Sequence, residues 1–349
     1  MKKYNVLVLV LLVVLSMVAC SKKPAEGTSV TEGTSAETSA AGEQRVIKIA
    51  HCAPDQDVAQ KEFSDCIKAN IRKINEQSLG YTVEYTIFNA QYDQQAQIGH
   101  IETVMVQDFD VLIVFGVDSE GTAPVVKQAH EAGLIVIDIC NLGYPDIVDM
   151  IFFGNNELLY ADLRDQFLDA YLKANPELHL NTGVIYGSMN QLPQLPRGDR
   201  MLDYAEENPD RVTILDNQTG EWYADKAMSI TEDWMQTYPN MNFVCSANDQ
   251  MTVGIVQALK SAGKLDDFLI TSVDCTDEAL EMVSLGEIGC TIGVDNYDYA
   301  VELIDVAIRL ALGETFDKEY YMENIRCITK DNVEEYIKTK AELKAQLGN

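Results

Sequence analysis

The sequence predicts an α/β protein of the doubly wound kind, in which parallel sheets carry helices on both faces. Short runs of β-branched and apolar residues recur from Arg45 onward, and segments with helical spacing separate most of them. Strands that are apolar throughout and alternate with helices are typical of parallel sheets buried on both faces. The length of 349 residues, of which 47% are hydrophobic, suits two hydrophobic cores. We therefore expect two domains of this type.

The strand candidates share an apolar centre and end at polar or glycine positions. In chain order they read VIKIAH, YTVEYTIF, VLIVFG, LIVIDIC, DMIFFG, TGVIYG, RVTILD, FVCSAN, FLITSVD and CTIGVD. Between the first two runs, residues 59–77 have the period of an amphipathic helix. This alternation defines the predicted order of elements.

Residues 1–19 are predicted to be a signal peptide. Two lysines precede an apolar run from Val6 to Leu15, which is too short to span a bilayer permanently. The run ends in MVAC at residues 17–20, which resembles a bacterial lipobox although Met stands where Leu is usual. Cys20 is therefore predicted to be acylated and to hold the protein on the extracytoplasmic face of the cell membrane. The alternative is an ordinary signal followed by a free or core cysteine.

Residues 20–45 are predicted to be the lipidated cysteine and a flexible tether. The segment after Cys20 is rich in Ser, Thr, Glu, Ala and Gly and has almost no large apolar side chain. Such a segment cannot offset the entropy cost of ordering. The tether would let the folded head reach a neighbouring membrane protein.

Charge and cysteine usage exclude several classes of protein. The chain has 26 basic and 55 acidic residues, and because phosphate binding needs a basic footprint, nucleic acid is not expected as a partner. Seven cysteines remain besides Cys20, an odd number, and no Cys-x-x-Cys pair or Cys/His cluster has zinc spacing. We expect most of these cysteines to be buried apolar residues, and no metal site.

Polar residues recur at the predicted strand ends, where ligands bind in doubly wound sheets. The positions are Cys52 to Asp57, Asp118, Asn141, Asn155-Asn156, Ser188 to Gln191, Gly220 to Trp222, Asn248-Asp249, Asp274 and Asp295. Asn and Asp are also favoured at the N-caps of helices, so each one taken singly can be explained as a cap. Their recurrence at one end of two sheets, together with the aromatic Trp222, favours a binding cleft.

Enzyme signatures are absent from the sequence. There is no Gly-x-Ser-x-Gly elbow and no phosphate-binding loop, and the chain has only four histidines. Paired carboxylates in a cleft could act on a glycoside, and Asp249, Asp274 and Asp295 keep that alternative open. We expect a binding protein that uses no cofactor.

Several segments match one known family in order. They are IKIAH, AHEAGLIVIDICN, FGNNELLYADL, ANDQMTVGIVQALKSAG, ITSVDCTDEALEMVSLGEIGCTIG and ENIRCITKDNVEEY. Together they resemble the type 1 periplasmic sugar-binding proteins of ABC importers, the group of the ribose and galactose/glucose binders. The resemblance covers residues 46 to 340. It implies two doubly wound lobes joined by a hinge of three crossovers: an N-terminal lobe of 46–154 plus 295–323, and a C-terminal lobe of 155–294 plus 324–349.

The resemblance also implies which residues contact the ligand. Asn141, Arg197, Trp222, Asn248 and Asp274 match sugar-contacting positions of the family. Planar amide, carboxylate and guanidinium groups can each engage two vicinal hydroxyls, and an indole ring suits the apolar face of a sugar. As contacts of a ligand alone, Arg197 and Asp274 are expected to be replaceable by alanine without loss of stability.

Two further contacts are predicted where the chain departs from the family. Asp57 follows the first strand, where the family usually places an aromatic residue, and Asp295 follows Val294, which replaces the usual amide. The calcium loop of some hexose binders is absent, and no metal is expected. The ligand is therefore expected to be a monosaccharide-like polyhydroxyl compound, and another polyol, a nucleoside or a furanone signal remain alternatives.

The predicted function is that of a monomeric, membrane-anchored solute-binding lipoprotein that delivers this ligand to an ABC permease. Two alternatives are that it presents the ligand to a sensor kinase or chemoreceptor, and that it is a secreted glycoside-acting enzyme.

Asn248 and Asp249 stand where a helix is predicted to begin, and either residue could cap this helix or contact the ligand. The helix predicted after them ends at Gly263 and has core-facing positions Met251, Ile255, Ala258, Leu259 and Ala262. We predict that Asp249 caps this helix and that Asn248 contacts the ligand.

Overall fold

The computed structural model describes residues 44–346 except 57, 140–141, 154–156 and 323. The predicted signal peptide, Cys20 and the tether up to residue 43 lie outside the described residues, as do two predicted ligand contacts, Asp57 and Asn141. Arg45, predicted to end the tether, instead begins the first strand and pairs with Tyr81. In the described part of the chain, no helix has the length and apolar character needed to cross a membrane.

The described chain contains strands that alternate with helices through most of its length. The strands are β1 Arg45–Ala53, β2 Tyr81–Asn89, β3 Val111–Val114, β4 Ile135–Asp138, β5 Met150–Phe153, β6 Leu180–Tyr186, β7 Val212–Thr219, β8 Phe243–Ser246, β9 Leu269–Val273, β10 Cys290–Gly293, β11 Glu319–Tyr321 and β12 Arg326–Thr329. The helices are α1 Val58–Glu76, α2 Gln94–Val106, α3 Ser119–Glu131, α4 Glu157–Ala174, α5 Pro196–Glu207, α6 Ala224–Thr237, α7 Asp249–Ala262, α8 Asp277–Leu285, α9 Asn296–Ala311 and α10 Val333–Gln346.

The strands form two six-stranded sheets. The first has the order β11-β5-β4-β3-β1-β2 and the second the order β12-β10-β9-β8-β6-β7. The pairings are parallel except that of β12 with β10, which is antiparallel. The predicted fold class is confirmed, and the ten predicted strand runs correspond to β1 to β10. The chain passes between the sheets after β5, after β10 and after β11, but the predicted lobe boundaries at residues 154/155, 294/295 and 323/324 stay a prediction.

Both faces of the inner part of each sheet are buried, which explains the largely apolar inner strands. In β1, Ile47 and Ile49 pack into one core with α1 and α9, whereas Ala50 and Cys52 pack into another with α2 and α3. In the second sheet, β8 divides in the same way between α4 and α5 on one face and α6 and α7 on the other. A parallel sheet covered on both faces has few polar positions along its strands, so polar side chains collect at the strand ends.

The cysteines of the described chain behave largely as predicted. Cys52, Cys66, Cys245, Cys275 and Cys290 are buried free thiols. Cys327 is a free thiol of intermediate exposure. Cys140 lies outside the described residues.

Helix α7 shows why the sequence around Gly254 is constrained. A Cβ atom on Gly254 would lie 1.9 Å from the carbonyl oxygen of Ala224, so the absence of a side chain lets α7 pack closely against the start of α6. Gly263 ends the helix with φ of 64°, as predicted for a glycine C-cap. The prediction that Ala262 faces the core is wrong, because this last residue of the helix is exposed.

His51 gives the fold a specific acid sensitivity. The ring is fully buried in β1, with Nδ1 2.7 Å from the Tyr85 hydroxyl, and burial lowers the pKa of His51 to about 3. The unfolded chain binds this proton near pH 6.5, so stability is lost as the pH falls between about 6.5 and 3, by about 1.4 kcal/mol per pH unit. We expect His51→Gln to reduce the slope of the unfolding free energy against pH in denaturant titrations. His179→Gln, at a partly exposed position, serves as the control, and equal slopes in the two variants would contradict the assignment.

Candidate functional site

A cavity lies where the carboxyl ends of strands from the two sheets meet. It contains about 570 Å³ of space free of protein atoms, part of it open to solvent at the mouth. The elements of the first sheet contribute Pro54, Ala59, Gln60, Tyr92, Phe115 and Ile139 to its walls. The segments that follow strands of the second sheet, and the start of α4, contribute Glu157, Gln191, Gln194, Arg197, Trp222, Asn248 and Asp274.

The structure brings four of the predicted ligand contacts together in this cavity. Arg197, Trp222, Asn248 and Asp274 all line it, although they are far apart in sequence. Asp295 does not line it. Its Oδ1 instead accepts a hydrogen bond from the backbone N–H of Tyr297 at 2.8 Å and caps α9. Burial raises the pKa of Asp295 from its ordinary value.

Arg197 is held by a buried ion pair with Glu157. Nε and Nη2 of Arg197 both donate to the Glu157 carboxylate, the second at 2.9 Å, and Nη1 donates to the Ala247 carbonyl at 2.7 Å and to Oδ1 of Asp274 at 3.5 Å. Burial alone would lower the pKa of Arg197, but the Glu157 and Asp274 carboxylates outweigh it and the pKa lies above its usual value. The guanidinium is therefore a fixed cation that also organises the two carboxylates around it.

This ion pair changes the expectation for stability. Glu157 and Arg197 are each 8% exposed at the side chain, so removal of the guanidinium leaves a buried carboxylate without its main partner. The expected tolerance of Arg197→Ala assumed that Arg197 contacts a ligand alone. That premise is wrong, because Arg197 also pairs with Glu157.

Trp222 forms an aromatic wall of the cavity. Its indole Nε1 donates to Oε1 of Gln191 at 2.7 Å, and a Cβ atom on Gly187 would lie 2.1 Å from the ring. The φ angles of Glu221 and Trp222 are 50° and 71°, a left-handed conformation that is uncommon for residues with side chains. Close packing and this strained turn together fix the indole plane at the cavity edge.

Asp274 directly follows β9, and its backbone has a positive φ angle, which is uncommon for a residue with a side chain. Its φ is 118° and that of Cys275 is 56°. A Cβ atom on Gly293 of the neighbouring strand would lie 3.0 Å from the carbonyl carbon of Asp274, so glycine leaves room for this turn. The Asp274 side chain is 21% exposed, and its carboxylate borders the cavity.

The prediction that Asp249 caps α7 is wrong, whereas ligand contact by Asn248 stays a prediction. Asn248 is the N-cap of α7, because its Oδ1 accepts from the backbone N–H of Met251 at 2.9 Å. Asn248 also lines the cavity, so the same residue caps the helix and borders the predicted ligand site. Asp249 is 1% exposed and accepts hydrogen bonds from the hydroxyls of Ser272, Thr276 and Thr291.

Asp249 is thus a structural junction of the second sheet. A further hydrogen bond reaches it from the backbone N–H of Thr276 at 2.8 Å, so the carboxylate joins β9, β10 and the start of α8. Burial raises the pKa of Asp249 to about 6, and these hydrogen bonds oppose the rise. The residue stabilises the strand ends that carry Asp274.

Several residues of the cavity were not predicted from the sequence. Tyr92 and Phe115 supply the aromatic side chains on the side of the first sheet where none was expected in the first-strand loop. A signal for Tyr92 was present: AQYD after β2 and GEWY after β7 occupy equivalent positions, and Gln91 and Tyr92 share the left-handed φ of Glu221 and Trp222. Glu157 had no such signal, since its partner Arg197 is 40 residues away.

The cavity is lined by both polar and apolar side chains. Among the described residues, no group of histidine, cysteine or carboxylate side chains has a geometry suited to a metal ion. The polar side of the lining combines amide, carboxylate and guanidinium groups, and Tyr92, Phe115 and Trp222 add aromatic side chains. Such a lining suits a small ligand with both hydroxyl groups and an apolar face.

Two mainly parallel sheets covered by helices, with a cavity between their strand ends, define a two-lobed binding protein of the periplasmic type 1 fold. The family model described as periplasmic binding protein domain matches residues 56–315. The chain belongs to this family. It is a family of binding proteins rather than enzymes, which confirms the prediction that the chain is not an enzyme.

Curated relatives carry names of small-molecule binders. The putative rhizopine-binding protein of Rhizobium meliloti is 26% identical over 261 residues, which are 73% of this chain and 82% of the relative. The D-ribose/D-allose-binding protein of Pseudomonas aeruginosa is 25% identical over 232 residues, which are 65% of this chain and 71% of the relative.

Solved structures share the fold. An ABC transporter solute binding protein from Bacillus halodurans C-125, with bound myo-inositol, has a TM-score of 0.72 at 23% identity and covers 85% of this chain and 98% of its own. The fructose binding periplasmic domain of a hybrid two component system has a TM-score of 0.75 at 18% identity. The match covers 87% of this chain and 99% of that domain. At these identities the likeness shows the fold alone.

Proposed function

We propose that this chain is an extracytoplasmic solute-binding lipoprotein that captures a monosaccharide-like polyhydroxyl ligand between its two sheets and delivers it to an ABC permease. The observation that carries the proposal is the placement of Arg197, Trp222, Asn248 and Asp274 on one cavity at the strand ends. The names of the relatives, which include binders of ribose, allose and xylitol, support the same class of ligand.

The groups in the cavity match the chemistry of a polyol. Vicinal hydroxyls both donate and accept, so the Asp274 carboxylate can accept from one hydroxyl while the Asn248 amide and Arg197 donate to another. The indole of Trp222 can cover the C–H face of a ring. A cavity group left without its partner costs about 1–3 kcal/mol, so a ligand that lacks a required hydroxyl binds more weakly.

A thermal-shift panel tests this proposal. The panel contains D-ribose, D-allose, D-galactose, xylitol and myo-inositol. A true ligand at 100 times its dissociation constant adds about 2.7 kcal/mol of stability. We expect at least one compound to do so with the wild-type protein and to have no effect on Asp274→Asn, which keeps the shape of the side chain but removes the charge. An unchanged response in Asp274→Asn, or no response across the panel, would contradict the proposal.

The anchor and the partner are separate parts of the proposal. Acylation of Cys20 would keep the protein at the membrane, where the tether of residues 20–45 lets the folded part reach a permease. Metabolic labelling with a fatty acid should mark the wild-type protein but not Cys20→Ser. Release of both proteins into the medium in equal amounts would contradict the anchor.

One observation favours a second function, in which the bound protein signals to a receptor. The fructose binding periplasmic domain that shares this fold is part of a two component system. The same cavity could therefore present its ligand to a sensor kinase or chemoreceptor. Import of the panel ligand that depends on this protein would support the permease, and ligand-dependent gene expression without import would support the sensor.

A further inference from the structure

The loop after β6 of the second sheet contacts the start of α3 and the segment that follows β3 of the first sheet. We call residues 187–195 the β6–α5 loop. Its Asn190 carbonyl accepts from the backbone N–H of Ser119 at 3.0 Å, and its Leu192 N–H donates to Oγ of Ser119 at 3.2 Å. Ser119 is the first residue of α3. The first N–H groups of a helix have no partner within it, so the loop satisfies a donor that would otherwise need water.

Gln191 lies at the centre of this contact and is 2% exposed. Its Nε2 donates to the carbonyl of Gly116, which follows β3 of the first sheet, at 3.0 Å. Its Oε1 accepts from Nε1 of Trp222 at 2.7 Å. The orientation of the amide is determined by its partners, because an indole N–H can only donate and a carbonyl can only accept.

We propose that Gln191 is a positioning residue that couples the ligand-facing indole of Trp222 to closure of the first sheet against the second. Trp222 and Gln191 both line the cavity, so a ligand packed on the indole restrains the side chain that also binds Gly116. The link to ligand rests on the proposed function. The hydrogen bonds between the β6–α5 loop and the start of α3 can be tested without adding a ligand.

The variant Gln191→Glu separates the two halves of the link. A carboxylate can still accept from the Trp222 indole, but it has no proton to donate to the Gly116 carbonyl and places a negative charge against it. Hydrogen exchange in the ligand-free protein reports closure through the Ser119 and Leu192 amides. We expect both to exchange roughly 10-fold faster in Gln191→Glu, the effect of losing about one hydrogen bond.

Two internal references distinguish coupling from local unfolding. The Leu195 N–H donates to the Leu192 carbonyl within the β6–α5 loop, so its exchange should not change if the loop stays folded. The indole of Trp234, which donates to Asp216 at 2.8 Å, should keep its ¹H–¹⁵N signal. Trp222 should keep a hydrogen-bonded indole signal in Gln191→Glu.

The matched control is Gln257→Glu, the same chemical change at an exposed position of α7. It should leave the Ser119 and Leu192 exchange rates within about twofold of the wild type, because surface substitutions have small effects. Ser119 and Leu192 rates that are equal in Gln191→Glu and Gln257→Glu would overturn the proposal. So would acceleration of the Leu195 amide to the same extent, which would show a structural role only. Failure of every compound in the sugar panel would leave this measurement unaffected.

Discussion

Arg197→Ala is expected to lower the free energy of unfolding by about 3–5 kcal/mol and to abolish ligand binding. The reason for the first effect is that Glu157 would remain buried without the guanidinium that now binds both of its oxygens. Breaking a buried ion pair by removing one partner costs this much because the other charge is left uncompensated. The second effect follows because Arg197 lines the cavity and holds Asp274. Urea unfolding and the sugar panel measure the two effects separately.

Arg200→Ala is the matched control, and the chain offers a rescue variant. Arg200 is 30% exposed at the side chain and pairs with Asp165 and Asp203, so its loss should cost no more than about 1 kcal/mol. The double variant Arg197→Ala/Glu157→Gln should be more stable than Arg197→Ala, since it removes the uncompensated charge. An Arg197→Ala protein as stable as Arg200→Ala would refute the buried ion pair.

Asp249→Ala is expected to cost about 2–4 kcal/mol of stability. The carboxylate accepts from the Ser272 hydroxyl at 2.5 Å, from the Thr291 hydroxyl at 2.8 Å, and from the N–H and hydroxyl of Thr276 at 2.8 and 3.1 Å. Each buried donor left without an acceptor costs about 1–3 kcal/mol. The loss is smaller at Ser272, because its hydroxyl also forms a hydrogen bond with the hydroxyl of Thr252. The desolvation of the carboxylate, which raises its pKa, offsets part of the loss.

A ranking of three variants tests this assignment by chemical denaturation. Asn248→Ala removes a helix cap and should cost about 1 kcal/mol. Asp266→Ala, at an exposed position, should lie within about 0.5 kcal/mol of the wild type. Asp249→Ala should be the least stable of the three. If Asn248→Ala were instead the most destabilised, Asp249 would not be the junction of β9, β10 and α8.

Most of the strands could be predicted because neighbouring strands and helices bury both of their faces. β1, β3 to β6 and β8 to β10 are marked by largely apolar runs, whereas the long edge strands β2 and β7 are marked by β-branched residues. β11 and β12 were not predicted because they are edge strands of three and four residues, and their exposed positions carry Glu319, Tyr321 and Arg326. β12 also runs antiparallel to β10, which no local pattern signals.

The site was predictable where a residue type and a strand end coincide. Trp222 and Asp274 were found in this way, and so was Asn248. Its capping role was assigned to the wrong member of the pair, because both Asn and Asp cap helices and the sequence does not show which side chain turns inward. Gln191 was placed among the polar residues at the strand ends, but its bond to Trp222 was not predicted, and Glu157 was not predicted at all, because their partners come from other elements and are set by tertiary packing alone.

A crystal structure of the protein with a ligand from the sugar panel would show where the ligand binds. We expect one ligand in the cavity between the two sheets, with a ring face on the Trp222 indole and hydroxyls within hydrogen-bonding distance of Asp274 and Arg197. A ligand bound elsewhere on the protein, with none in this cavity, would rule out the proposed site.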